Sequence, residues 1–168
     1  NSNFKFFLLR QRTIQRKVEA TGLGLHSGKL VKLIISPAEV DIGIVFRRTD
    51  LIPTKDINVY NASVTDTNLA STISENGIEI STVEHFIAAV SGLGIDNILV
   101  EVNGSELPIM DGSASTFVYL LKTAGIKEQS KSKKFIEIIK SVCVSNGDKW
   151  AKLDPYFGFK LDFVVDFS

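Results

Sequence analysis

The 168-residue chain holds one cysteine, Cys143, and two histidines, His26 and His85. A single thiol excludes an internal disulfide and any multi-cysteine zinc site built within the chain. It fits a reducing compartment. A basic excess is lacking as well, because 19 Lys and Arg residues balance 19 Asp and Glu residues. A protein whose main task is to grip nucleic acid shows such an excess, so no nucleic-acid partner is expected, although a local basic patch stays open. No apolar run has the length of a transmembrane segment. Phe6-Phe7-Leu8-Leu9 is shorter than a signal-peptide core, and no small-residue cleavage site follows it cleanly. These absences point to a cytoplasmic protein with a loose amino-terminal start.

Hydrophobic residues make up 44% of the sequence and charged residues 23%, enough to bury a core in one domain or two small ones. Residues 29–36, rich in β-branched side chains and stopped by Pro37, predict a strand. A second strand is expected over 43–48. A third over 14–20 would pair with the first across Thr21-Gly22-Leu23-Gly24. Val83, Phe86, Ile87 and Val90 recur at helical spacing and predict a helix over 81–93, ended by Gly92 and Gly94. A strand over 97–102 and a turn at Asn103-Gly104 follow. Phe117, Leu120, Leu121 and Ala124 then form the stripe of a second helix over 113–124, with Gly125 as its stop.

Residues 127–134 are polar and charged and read as an interdomain linker rather than an ordinary surface loop. Strands are expected beyond it over 135–144, 150–153 and 159–167. The last is still in mid-strand at Ser168, so the sequence is expected to be truncated relative to the natural protein. Strands followed by helices, with hairpin-like turns, indicate an α+β fold. The expected division is a first α+β domain over 1–130 and a linker with the start of a second over 131–168.

Both histidines sit where chemistry is conceivable. His26 lies in Gly22-Leu23-Gly24-Leu25-His26-Ser27-Gly28, where small residues let the backbone turn tightly or approach a ligand. A β-turn with a solvated imidazole accounts for it equally. His85 follows Glu84 in Ser81-Thr82-Val83-Glu84-His85. An imidazole that binds zinc beside a carboxylate that takes a proton from water is the pairing metal-assisted hydrolysis needs. Against this, Ser81 and Glu84 have the spacing of a helix capping box, and His85 reads equally as a half-buried histidine near a helix start. Catalytic zinc draws on three protein ligands, yet one turn after His85 stands Ala89. Asp111, in Pro108-Ile109-Met110-Asp111-Gly112-Ser113, is a turn residue or a polar anchor. Lys149, in Gly147-Asp148-Lys149-Trp150, meets a phosphate or water.

Six segments occur in one order: residues 21–28, 46–50, 81–85, 92–97, 108–113 and 147–151. Their order and spacing resemble the UDP-3-O-acyl-N-acetylglucosamine deacetylases, zinc enzymes of lipid A (lipopolysaccharide) synthesis. The resemblance runs from about Gln11 to Phe167. It implies two domains of similar topology, each a helix layer against a β-sheet, with the active site between them. It further implies Glu84 as general base and His85 as a ligand of Zn(2+). His26 would lie near the metal and the substrate's phosphates, and Asp111 would be an active-site or structural polar group. Lys149 and Phe167 would lie near the substrate pocket, Phe167 towards the uridine. The substrate would be a UDP-linked acyl-glucosamine, with transient membrane-surface contact through its acyl chain.

The family's second-domain His-x-x-x-Asp ligand pair, its later catalytic histidine and its acyl-passage insert have no counterpart in these residues. The expectation is therefore a hydrolase whose active site is incomplete in this chain and which is inactive alone. A two-His, one-Asp site could also accept Fe(2+). The competing reading is a non-catalytic binding or assembly module that keeps the fold. Some members of the family are also fused to a fatty-acid dehydratase, of which no segment is seen here.

Overall fold

The computed structural model of the chain describes residues 9–165. Phe6, Phe7, Leu8 and Phe167 lie outside them. The chain divides into two compact units after Lys133.

The first unit runs in the order β1 (Arg10–Ile14), β2 (Val18–Leu23), β3 (Leu30–Pro37), β4 (Ile44–Arg48), β5 (Lys55–Asn58), β6 (Ser63–Asp66), β7 (Thr72–Glu75), β8 (Ile78–Ile80), α1 (Glu84–Gly92), β9 (Ile98–Val102), α2 (Ser115–Ala124) and β10 (Ile126–Ser132). Five strands form the main sheet in the order β2-β3-β9-β4-β5. All its pairings are antiparallel except β4 with β9. A three-stranded sheet, β6-β7-β8, and a two-stranded ribbon, β1-β10, complete the unit.

Alternation along the central strands decides which face is covered. Val31, Leu33 and Ile35 of β3 and Ile98, Val100 and Val102 of β9 are buried, while their neighbours point outward. Over that face, α1 contributes Phe86, Ala89 and Val90, and α2 contributes Phe117, Leu121 and Ala124. Three rings cross the layers edge to face, Phe46 to Phe86 at 5.8 Å and Phe86 to Phe117 at 5.5 Å. The unit is thus an α+β sandwich of sheet and helices, as expected.

Several local expectations give way. Residues 127–132 are not linker but most of β10, paired antiparallel with β1. Their charges read as loop, yet Lys131 pairs with Asp41, and Lys133 just beyond the strand reaches Asp96 at 2.7 Å and the Gly94 carbonyl at 2.8 Å. The expected 14–20 strand splits into β1 and β2. The turn moves from residues 21–24 to the stretch after Leu23, because Thr21, Gly22 and Leu23 all pair with β3.

Asn97 fastens the ribbon to the main sheet. It is 1% exposed, accepts the Gly43 amide, and donates to the side chains of Gln11 and Gln129, each at 2.8 Å. Gln11 in turn donates to Asp41 and to the Ser132 carbonyl. Asp96 accepts the Arg12 amide at 2.7 Å. The stretch Gly94-Ile95-Asp96-Asn97 is therefore a structural clasp. So is the stretch 46–50, where Arg47 forks onto Asp56 and Arg48 onto Asp50.

In the second unit β11 (Val142–Asn146) and β12 (Lys149–Leu153) form a hairpin closed at Gly147-Asp148. Residues 135–141, expected within a strand, precede it. Residues 159–165, also expected as strand, form none. The hairpin exposes Val144, Trp150 and Leu153.

Asn97→Ala would leave the Gly43 amide and two side-chain acceptors without their buried partner. It should lower unfolding free energy by about 2–3 kcal/mol, read from urea denaturation; a change within experimental error would disprove the clasp.

Candidate functional site

The turn that holds His26 and the segment that leads into α1 come together at the ends of β2 and β8. Before α1 the chain runs alongside the stretch that follows β9: the Ser81 amide donates to the Ser105 carbonyl at 2.9 Å, and the Leu107 amide to the Ser81 carbonyl at 3.0 Å. This isolated parallel bridge, Ser81 to Glu106, takes up Ser81. The helix consequently starts at Glu84, three residues later than expected. Its N-cap is Val83, with no side-chain cap. The Ser81–Glu84 capping box does not form. Glu84 instead accepts the Ser71 amide through Oε2 at 3.0 Å, so its carboxylate is held across the chain rather than back onto the helix. His85, next on the helix, is half-buried.

Thr82, just before this pair, is 2% exposed and has φ of 58°. A β-branched residue in the left-handed region is strained by about 1–3 kcal/mol and persists only where its surroundings hold it. Its hydroxyl lies 3.2 Å from that of Ser81 and donates to Glu106 at 3.3 Å.

His26 is exposed on the turn between β2 and β3. The turn is closed by Gly24 amide to Lys29 carbonyl, 2.9 Å, and Gly28 amide to Gly24 carbonyl, 3.0 Å, with Gly28 at φ of 62°. The remaining amides, of His26 and Ser27, donate to the two oxygens of Glu106 at 2.9 and 3.0 Å. Gly24 packs so closely here that a Cβ would strike Ser27 Oγ and the Glu106 carboxylate. The turn and the segment leading into α1 thus share one carboxylate.

Burial raises the Glu106 carboxyl, but donors from His26, Ser27 and Thr82 outweigh it and hold the group below its ordinary value of 4.5. Reasoning from the sequence missed this residue. Its only signal is a lone acid just before the Pro108-Ile109-Met110-Asp111 segment.

That segment lies against β2. The Ile109 amide donates to the Leu23 carbonyl at 2.9 Å, and a Cβ on Gly22 would come within 2.9 Å of Pro108 and 3.0 Å of Met110 Sδ. Asp111 is exposed and accepts the Ser113 amide at 3.1 Å and the Ser113 hydroxyl at 3.0 Å. Desolvation raises its carboxyl, yet the Ser113 donors bring it below the ordinary range. Ser113 Oγ in turn accepts the Ser115 amide at the start of α2. These bonds are those of a turn residue leading into α2. Lys149 is exposed on β12, opposite Asn146, in the other unit.

A family model described as LpxC, UDP-3-O-acyl N-acetylglycosamine deacetylase, matches residues 11–168. The chain belongs to this family. Deacetylases of this family act on UDP-3-O-acyl-N-acetylglucosamine in lipid A biosynthesis. Glu84 and His85 are the first two residues of α1. Among the described residues no three His, Cys, Asp or Glu side chains gather as a metal cage. No described helix is long and apolar enough to cross a membrane.

Because Glu106 is depressed in the folded state, its stabilising contribution is present above pH 4.5 and lost as pH falls through the folded value. Glu106→Gln should lower the thermal midpoint at neutral pH, and the gap to the parent should close as pH falls below 4.5 and through the folded value. Thermal melts along a pH series measure it; a gap independent of pH would contradict the assignment.

Proposed function

We propose that the full-length protein carrying this chain hydrolyses the N-acetyl group of UDP-3-O-acyl-N-acetylglucosamine with a bound Zn(2+), and that Glu84 and His85 are its base and one of its metal ligands. The observation that carries this reading is the placement of Glu84. Its carboxylate is freed from the helix cap, anchored by the Ser71 amide, and set next to a half-buried imidazole.

His85 fits a metal ligand: an imidazole at the second position of a helix, next in sequence to a carboxylate. The other ligands would come from a His-x-x-x-Asp pair in a second domain of similar topology, of which residues 134–168 would be the start. When bound, zinc would supply Lewis acidity that lowers the pKa of a water to roughly 7. Glu84 would take a proton from the water that attacks the acetamide carbonyl. That proton would then pass from Glu84 to the nitrogen as the C–N bond breaks, and the amine and acetate are released. His26, exposed on its turn, would meet the substrate's phosphates. Lys149 and Phe167 would contact substrate as the family resemblance implies, and Asp111 shapes the turn into α2. Fe(2+) would suit the same donors. The exposed free thiol of Cys143 suits a reducing, cytoplasmic setting, with membrane contact made transiently through the acyl chain.

Acetate release from the UDP-acyl-sugar, with zinc added, tests the proposal. The full-length protein should turn over and the 168-residue chain should not. Glu84→Gln should reduce kcat on the order of 10²-fold or more while zinc stays bound. His85→Ala should lose both zinc and activity. A full-length protein that binds no zinc and releases no acetate would sink the enzyme reading and favour a binding or assembly module.

A further inference from the structure

We propose that Glu106 is a positioning residue for the deacetylation: its buried carboxylate ties the His26 turn to Thr82 and thereby sets His26 relative to Glu84 and His85. The proposal rests on the roles given above to Glu84 and His85.

Glu106 is 5% exposed and is the one buried charged side chain among the described residues. A carboxylate withdrawn from water is costly unless donors surround it, and an apolar residue of similar size would fill the same space without that demand. What the charge adds is a link. The bonds closing the His26 turn run within the turn, and the amides of His26 and Ser27 point to Glu106. On the other side, Glu106 accepts the hydroxyl of Thr82. Thr82 is held at φ of 58° two residues before Glu84. Loosening this grip frees the turn that carries His26 from the segment directly ahead of the base and the ligand. The backbone of Glu106 is itself locked to the Ser81 strand by the bridge, so the link is rigid at its root.

Glutamine matches glutamate in shape but replaces one acceptor oxygen with an N–H₂ group. Oε1 and Oε2 each face a backbone amide, so either amide orientation sets donor against donor. Glu106→Gln in the zinc-loaded full-length protein should therefore lower kcat/KM for acetate release on the order of 10–100-fold, with zinc content unchanged. Loss of stability alone would not give the next result. In a double-mutant cycle with His26→Ala, the Glu106→Gln defect should largely vanish, because it acts through the placement of His26.

Parental kinetics for Glu106→Gln, or defects that multiply in the double variant, would overturn the proposal. Should Glu106→Gln fail to fold, Thr82→Ala removes one donor and leaves both amides satisfied. Crossed with His26→Ala, it should show a smaller defect with the same non-additivity, and an additive result is again fatal. Glu84→Gln separates the two levels of inference. If it keeps parental turnover, the catalytic reading has failed. If it is inactive while the cycle is additive, only the role of Glu106 has.

Discussion

A carboxylate cannot be taken out of water without donors to replace it, and in this chain that constraint organises the candidate site. Glu106 meets it with two backbone amides from one turn and hydroxyls from two segments. Because its acceptors are fixed in direction, the groups that serve them are fixed as well. The His26 turn, the stretch before α1 and the loop after β9 are three pieces distant in sequence. They share one polar centre at the end of the main sheet. A hydrophobic contact would hold them together but would not specify their angles, since burial of apolar surface is non-directional.

The sheet and helices beneath supply what that centre needs, a platform that does not give. The edge-to-face chain from Phe46 through Phe86 to Phe117 joins strand, first helix and second helix. Close packing of this kind transmits displacement rather than absorbing it. Phe86 lies one residue beyond His85 on α1 and is fully buried, so the helix that presents Glu84 and His85 is pinned directly behind them. The Asn97 clasp anchors the ribbon at the opposite side of the unit and leaves the site end unencumbered.

Much of this was legible in the sequence where a period was long enough to read. Residues of β3, β4 and β9 and the stripes of both helices stand out, and each became the expected element with its ends shifted by a few residues. The strands β5 to β8 did not stand out. They are three or four residues long, mix charge with single apolar residues, and in β6 are exposed throughout. Only their neighbours make them strands. In β10 the polar composition itself misled, because ion pairs to Asp41 and Asp96 satisfy charges that would otherwise argue for a loop. The Ser81–Glu84 capping box is the same lesson at the site: a local rule lost to a bridge with residues more than twenty positions away.

The sequence by itself determined the family and the α+β class, because those depend on residue types at short range and on the order of a few segments. Tertiary structure alone decided that Glu84 turns from the helix to the Ser71 amide, that Thr82 is held against its preference, and that Glu106 joins the two histidine-bearing segments. The physical reason is the range of the interactions. Periodicity and motif spacing are properties of consecutive residues. The donors around a buried carboxylate come from wherever the fold brings them.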